Sequence, residues 1–315
     1  MRIVFMGTPD FAVPSLRQTH ASAHDVLLVV TQPDRPAGRG RRLTPPPVKT
    51  AAGELDIPVH QTESVNTPVF AERLRALLPD VLVVVAFGQI LNDELLSIPS
   101  KGAVNVHGSV LPAYRGVAPI NWVIVNGETE TGVTTMYMAR KVDAGEIILT
   151  RRTPIGENET AGELYDRLSA MGAELLVETL DLIERDEAPR TSQDPDAASY
   201  ARKLKKRDGL IDWTKDARTV HDHIRGMTPW PGARTTYRGR PLTVLVSRVG
   251  DEDGERGEPG EVVSLDDERG IEVATGHGSV RLLEVKPSGK SAMDAASFVR
   301  GYRPEVGERP FGETS

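Results

Sequence analysis

Over the first 190 positions, short unbroken apolar runs alternate with longer segments of helical spacing. Residues 2–6, 26–31, 58–61, 80–86 and 103–107 read as strands, and Asp80-Val81-Leu82-Val83-Val84-Val85-Ala86 is the clearest of them. An uninterrupted valine and leucine run marks a parallel strand covered on both faces, because neither face is left for polar side chains. Residues 11–19 read as a helix after the turn Gly7-Thr8-Pro9-Asp10, with Asp10 placed as its cap. Residues 67–78 carry Val69, Phe70, Leu74, Leu77 and Leu78 at helical spacing. Residues 132–138 and 146–150 are further strand candidates, and Ala161–Glu184 is a long amphipathic helix that closes the region. Strands alternating with helices predict an α/β fold with a doubly wound, mostly parallel, Rossmann-like sheet.

Beyond residue 207 the pattern changes. Short strand candidates at 234–237, 242–248, 260–265, Gly270–Ala274 and 279–285 are separated by Gly-, Asp- and Pro-rich turns, after one helix-like piece at 217–225. That pattern predicts a small C-terminal β-barrel of the oligonucleotide-binding (OB) type. The expected organisation is a first domain over 1–189, a linker over 190–207 and a second domain over 208–315. The acidic, Gly-rich run 251–261 reads as an exposed hairpin tip, and 32–47 reads as a long structureless loop of the kind that tends to be functional.

Composition narrows the chemistry. There is no cysteine, which excludes disulfides, thiolate nucleophiles, zinc-thiolate sites and iron–sulfur clusters. No apolar run reaches the roughly 18 residues of a membrane span, and the N-terminus reads as a strand and not as a signal peptide, so a cytoplasmic protein is expected. The net charge of −7 hides an asymmetry: −8 over residues 1–200, +8 over 201–250 and −7 over 251–315. Two stretches concentrate positive charge, 201–207 (Arg202, Lys203, Lys205, Lys206, Arg207) and 34–49 (Arg35, Arg39, Arg41, Arg42, Lys49). Each reads by itself as solvated loop or linker, and on an acidic chain each is also a footprint for a polyanion. Neither a G-x-G-x-x-G dinucleotide fingerprint nor a phosphate-binding G-x-x-x-x-G-K-[ST] is present.

The chemically informative segment is Ala103-Val104-Asn105-Val106-His107-Gly108-Ser109-Val110-Leu111-Pro112-Ala113-Tyr114-Arg115-Gly116. On a strand, period two puts Asn105 and His107 on one face and Val104 and Val106 on the other. An amide and an imidazole then project side by side near the carboxyl end of a strand, where open α/β sheets bind ligands. Buried polar groups need partners, so the two either brace the turn at Gly108 or serve a site. One His and one Asn are a thin metal ligand set, and Ser109 has no nucleophile-elbow context. Asp143, in Lys141-Val142-Asp143-Ala144-Gly145, is by turn chemistry alone a turn residue, and gains interest only beside the other two.

Asn-x-His-x-Ser-x-Leu-Pro followed by Tyr-Arg-Gly, with Val-Asp-x-Gly downstream, resembles the formyltransferases that use 10-formyltetrahydrofolate. Gly7-Thr8-Pro9-Asp10-Phe11, Gln32-Pro33-Asp34-Arg35-Pro36-Ala37-Gly38-Arg39-Gly40 and Trp230-Pro231-Gly232-Ala233 are similar to the branch acting on methionine carried by initiator tRNA. The resemblance spans essentially the whole chain. It implies catalytic roles for Asn105, His107 and Asp143, and folate contacts from Ser109, Val110, Leu111 and Pro112, with Val110 standing where Leu is usual and Gly108 where Ala is usual. It further implies that Gln89, Ile90 and Leu91 supply backbone groups to the pterin edge. For the tRNA it implies Arg35, Arg39, Arg41 and Arg42 in a basic loop, then Lys203, Lys205, Lys206 and Arg207 in the linker, with Arg234, Arg238 and Arg240 on a flanking basic face.

The implied donor is 10-formyltetrahydrofolate with no metal, and the implied partner is initiator methionyl-tRNA. A monomer without membrane association is expected. Sister readings are formyl transfer to a sugar nucleotide or to glycinamide ribonucleotide. The β-rich C-terminal portion argues against the second. A reading of another class is a non-catalytic RNA-binding protein, against which the intact Asn105, His107 and Asp143 argue.

Overall fold

The computed structural model describes residues 1–38, 40, 42–266 and 270–312. It divides into two compact units. The first comprises Met1–Gly116, Thr131–Thr153 and Tyr165–Ala201, and the second comprises Val117–Glu130, Pro154–Leu164 and the chain from Arg202 onward.

In the first unit, β1 (Arg2–Gly7), β2 (Asp25–Thr31), β3 (Val59–Gln61), β4 (Val81–Val85), β5 (Ala103–His107), β6 (Glu130–Tyr137) and β7 (Ile147–Pro154) form one sheet, in the order β7-β6-β5-β4-β1-β2-β3. The pairs β1–β2, β1–β4, β2–β3 and β4–β5 are parallel, and β5–β6 is antiparallel. The strand order reverses between β1 and β4, which makes their carboxyl ends a topological switch point of the kind that hosts ligands. All five residues of β4 are buried. Leu82 and Val84 join Val4, Met6, Leu28 and Val30 on one face, against Phe70, Ala71 and Leu74 of the helix Pro68–Leu77, while Val81, Val83 and Val85 are buried on the other. Burial on both faces is what the valine run requires.

Local chemistry sets the helix ends. Thr67 caps Pro68–Leu77 by accepting the Phe70 N–H, and the next residue, Leu78, ends it in the left-handed region at φ 47°. Val69 and Leu78, counted above with the apolar face, are exposed. The first helix differs from expectation in its start: Asp10–Ala12 forms a short 3-10 turn and Val13–Ala21 follows without a side-chain cap. Asp10 is engaged elsewhere, since its Oδ1 accepts the Phe11 N–H and the Tyr165 hydroxyl. Residues 32–47 are not structureless: Arg35–Ala37 and Arg42–Thr44 pair as a short antiparallel ribbon.

In the second unit, Ala233–Tyr237, Arg240–Asp251, Val262–Asp266, Gly270–Ala274, Ser279–Pro287 and Phe311–Gly312 lie in one sheet whose resolved pairings are antiparallel. Its ends are drawn together where Val262 exchanges bonds with Glu308 and Gly307, and where the Phe311 N–H reaches the Gly260 carbonyl. The sheet therefore curls toward the barrel expected from the short-strand pattern. The acidic run 251–261 is not a hairpin tip. It joins Arg240–Asp251 to Val262–Asp266, which Gly270–Ala274 and Ser279–Pro287 separate in the sheet. Among the described residues of this unit, two α-helices are not legible in the sequence. Pro119–Val125 approaches Ala217–Gly226 so closely that a Cβ on Gly226 would meet Val125 Cγ2 at 2.6 Å. Ala295–Tyr302 buries Phe298 in the barrel core. Among the described residues no helix is long and apolar enough to cross a membrane.

His221 is buried, with Nδ1 2.8 Å from Ser247 Oγ. Burial pushes its imidazole from 6.5 down to about 4. The unfolded chain takes up a proton as pH falls through 6.5, and the folded chain resists until about 4, so stability is lost across that window and levels off below it. His221→Gln, which cannot titrate, should flatten the fall of the urea midpoint between those pH values by about one proton's worth of slope. Identical slopes would contradict this assignment.

Candidate active site

β5 carries the amide of Asn105 and the imidazole of His107. Its register sets Asn105 opposite Val84 of β4 on one side and Met136 of β6 on the other, with His107 opposite Thr134. Asn105 Nδ2 donates to the Val84 carbonyl at 3.1 Å. Its Oδ1 is buried with no partner among the described residues. A buried carboxamide oxygen without a donor costs about 1–3 kcal/mol, and such an atom at a strand's carboxyl end is a standing invitation to a ligand N–H. The residues present thus fit a donor with hydrogen-bonding groups.

His107 follows two residues on, buried, where β5 ends. Its Nε2 lies 3.0 Å from the Tyr114 carbonyl. A carbonyl only accepts, so Nε2 carries the hydrogen. Nδ1 faces Asp143 Oδ2 at 3.7 Å. Asp143 Oδ2 in turn accepts the Gly116 N–H at 2.8 Å. Asp143 stands in the left-handed region at φ 51°. Two residues on, a Cβ on Gly145 would lie 1.7 Å from the Tyr137 carbonyl, so only glycine fits where the loop turns back onto β6.

The loop after β5 is stitched to β6 by one hydroxyl. Thr134 Oγ1 donates to the Ser109 carbonyl at 2.7 Å and accepts the Leu111 N–H at 3.2 Å. Ser109 Oγ donates to the Ala113 carbonyl at 2.7 Å, Leu111 is buried, and Val110 and Pro112 are partly exposed. The segment after β4 is also fixed. Gln89 bridges the Val65 N–H and the Thr62 carbonyl, the Ile90 carbonyl accepts from Asn66 Nδ2, and Leu91 is buried in the core under the sheet. The Ile90 side chain is exposed.

Among the described residues, some basic side chains are committed to partners and others are exposed. Lys49 pairs with Asp34 at 2.8 Å, and this bond holds the Asp34 carboxyl below its usual range. Arg238 is committed to Glu308, and Arg234 donates to the Lys206 carbonyl. Arg202 clasps Asp208 at 2.7 and 2.8 Å and lies over the Trp122 ring; this hydrogen-bonded guanidinium holds Asp208 down to about 2. Arg35, Arg42, Lys203, Lys205, Lys206 and Arg207 are exposed. Arg39 and Arg41 lie outside the described residues. At the opposite, amino-terminal edge of the first sheet, His24, Asp181 and Glu184 bring three metal-type donor atoms within 4.8 Å of one another, beside the Met1 amine.

Sequence reasoning passes over one residue beside the site. Gln193, read as linker, donates through Nε2 to the carbonyls of Asp143 and Gly145 and accepts through Oε1 from the buried Arg115. A polar residue in an irregular segment has no periodicity to betray it.

Known proteins sharpen this picture. A family model described as formyl transferase matches residues 1–180, and one described as formyl transferase, C-terminal domain, matches residues 203–303. The chain is 49% identical over 309 residues to the methionyl-tRNA formyltransferase of Geobacter sulfurreducens, covering 98% of this chain and 96% of that one. It is 51% identical over 301 residues to the protein of that name from Trichlorobacter lovleyi, covering 96% and 94%. Among solved structures, HypX from Aquifex aeolicus in complex with tetrahydrofolic acid matches with a TM-score of 0.63 at 20% identity, over 97% of this chain and 48% of that one, a likeness of fold.

Thr134→Val keeps the shape of the buried side chain but strands the Ser109 carbonyl and the Leu111 N–H. It should cost about 1–3 kcal/mol in urea unfolding. A stability equal to wild type would show that the loop does not depend on this hydroxyl.

Proposed function

The chain belongs to the formyl transferase family, and on that footing we propose that it moves the formyl group of 10-formyltetrahydrofolate to the free amino group of methionine on initiator tRNA, acting as a cytoplasmic monomer. The observation that carries the reading is the grouping at the end of β5: an imidazole 3.7 Å from a carboxylate, two residues after a carboxamide whose buried oxygen has no partner among the described residues. The 10-formyl donor supplies an activated one-carbon unit, so the chain itself has to place an amine against a carbonyl and manage charge and one proton.

In the proposed reaction a neutral amine forms a bond to the formyl carbon, the bond from that carbon to N10 breaks, and the amine's proton passes to N10. Asn105 Nδ2 has two N–H groups and uses one on Val84. The other is the donor for the formyl oxygen as negative charge builds on it. His107 is held by the Tyr114 carbonyl with its hydrogen on Nε2, which leaves Nδ1 as the basic nitrogen to take the amine's proton and pass it to N10. Asp143 is placed to stabilise the imidazolium formed in between. Leu111 and Pro112, with Ser109 and Val110, fit an apolar wall for the folate, and the backbone of Gln89, Ile90 and Leu91 fits its pterin edge.

For the tRNA, exposed Arg35 and Arg42 on the short ribbon, with Lys203, Lys205 and Lys206, fit phosphate contacts, and Arg39 and Arg41 belong to the same proposed set. Phosphate contacts supply affinity and not choice of tRNA.

Transfer of labelled formyl from the folate to charged initiator tRNA tests the proposal, with glycinamide ribonucleotide as the control acceptor. Label on the tRNA alone is expected, and label on the control instead would replace the proposed acceptor. Asn105→Ala and His107→Ala should remain folded and lose about 10²–10³ in turnover, as removal of a donor to a developing oxyanion does. Asp143→Asn should also be severe, and near-wild-type turnover in any of the three removes that residue from the mechanism. The apparent tRNA affinity should fall steeply with salt, and a flat response would refute the phosphate contacts.

A further inference from the structure

Apart from the Asp143 carboxylate, the side chains of the loop that presents Asp143 do little to anchor it. Lys141 and Val142 are exposed, and Asp143 adopts a left-handed backbone that residues with a Cβ avoid. Its hold comes from outside the loop. Gln193 Nε2 donates to the Asp143 carbonyl at 3.0 Å and to the Gly145 carbonyl at 2.7 Å, bracketing Ala144. Gln193 Oε1 accepts from Arg115 Nε at 3.1 Å and Nη2 at 2.6 Å. Both amide hydrogens and the amide oxygen are therefore in use, and the bonds to the oxygen are charge-assisted.

The same arginine leads back to the carboxylate. Gly116, the residue after Arg115, donates its N–H to Asp143 Oδ2. Arg115–Gly116 is itself paired in parallel with Tyr200–Ala201, and the segment of Gln193 is pinned where Thr191 and Ile147 exchange backbone bonds at 2.8 and 3.0 Å. Asp143 is thus held at two points, its carbonyl by Gln193 and its carboxylate by Gly116, from segments that one guanidinium ties together. Gln193 Nε2 also lies 3.8 Å from the sulfur of Met136, the residue opposite Asn105 across β5 and β6.

We propose that Gln193, locked by Arg115, is a positioning residue for formyl transfer that fixes the Asp143 carboxylate against His107. This rests on the reading of Asp143 as part of the transfer site. Gln193 does not itself meet a substrate. It sets where the carboxylate stands, and an error of about 1 Å in such a group can cost about 10²-fold in rate.

The test separates the two halves of the amide. Gln193→Glu keeps an oxygen for Arg115 but has no N–H for the Asp143 and Gly145 carbonyls, and it sets a negative charge against both. Gln193→Ala removes both halves. Full-length wild type and both variants would be compared in kcat, in KM for 10-formyltetrahydrofolate and for charged tRNA, and in melting temperature. The expected result is a fall in kcat of up to about 100-fold in both variants, the scale for displacing a group that orients an active residue, with both KM values unchanged and both variants folded at the assay temperature. Wild-type kcat in Gln193→Glu overturns the brace. So does a fall in kcat that comes only with a raised KM or with partial unfolding at the assay temperature, because the amide would then be holding the fold. Absence of formyl transfer by the wild-type chain would instead remove the site reading on which the inference stands.

Discussion

A strand buried on both faces tolerates a polar side chain only where that side chain finds a partner. β5 carries two in its last three residues, the half-buried Asn105 and the buried His107, and the first unit is arranged to answer that constraint. Val84 takes the Asn105 amide, and Tyr114 takes the His107 Nε2 hydrogen. What is left unanswered is the Asn105 oxygen, and what is only partly answered is His107 Nδ1. These two loose ends lie on one face of one strand. The elements around them, the Ser109–Pro112 loop stitched by Thr134 and the Asp143 loop held by Gln193 and Gly116, fix that face in place.

The site is therefore chiefly a matter of backbone placement. Three of the groups that position His107 and Asp143 are main-chain atoms: the Tyr114 carbonyl, the Gly116 N–H and the Asp143 carbonyl. Gly145 makes the same point, since any side chain there would collide with Tyr137. Side chains with recognisable chemistry occupy the centre, and the surrounding chain determines their orientation.

Much of this could be read before any coordinates. The valine run of β4 and the alternation in β5 are physical consequences of burial, and both strands fall where the apolar pattern puts them. Period two along β5 sets Asn105 and His107 on one face, and the family's motif brings Asp143 to them. Long-range choices were not legible. Asp10 has the right residue type for a cap, yet it turns to a tyrosine 155 positions away. The acidic run 251–261 looks like a tip because turn chemistry is local, whereas strand order is not. Lys49 and Arg238 add to a tally of positive charge, but Asp34 and Glu308 have already taken them. Pro119–Val125 is too short a helix for periodicity to declare, and Gln193 sits in a segment with no period at all.

In the proposed reaction the Asn105 amide and the His107–Asp143 pair address one carbonyl. A crystal structure of the chain with a non-reactive folate bearing a formyl group would test it most directly. The formyl oxygen should lie about 2.7–3.1 Å from Asn105 Nδ2, with the buried Asn105 oxygen now accepting a ligand N–H. A formyl group bound away from β5, with that oxygen still unpartnered, would contradict it.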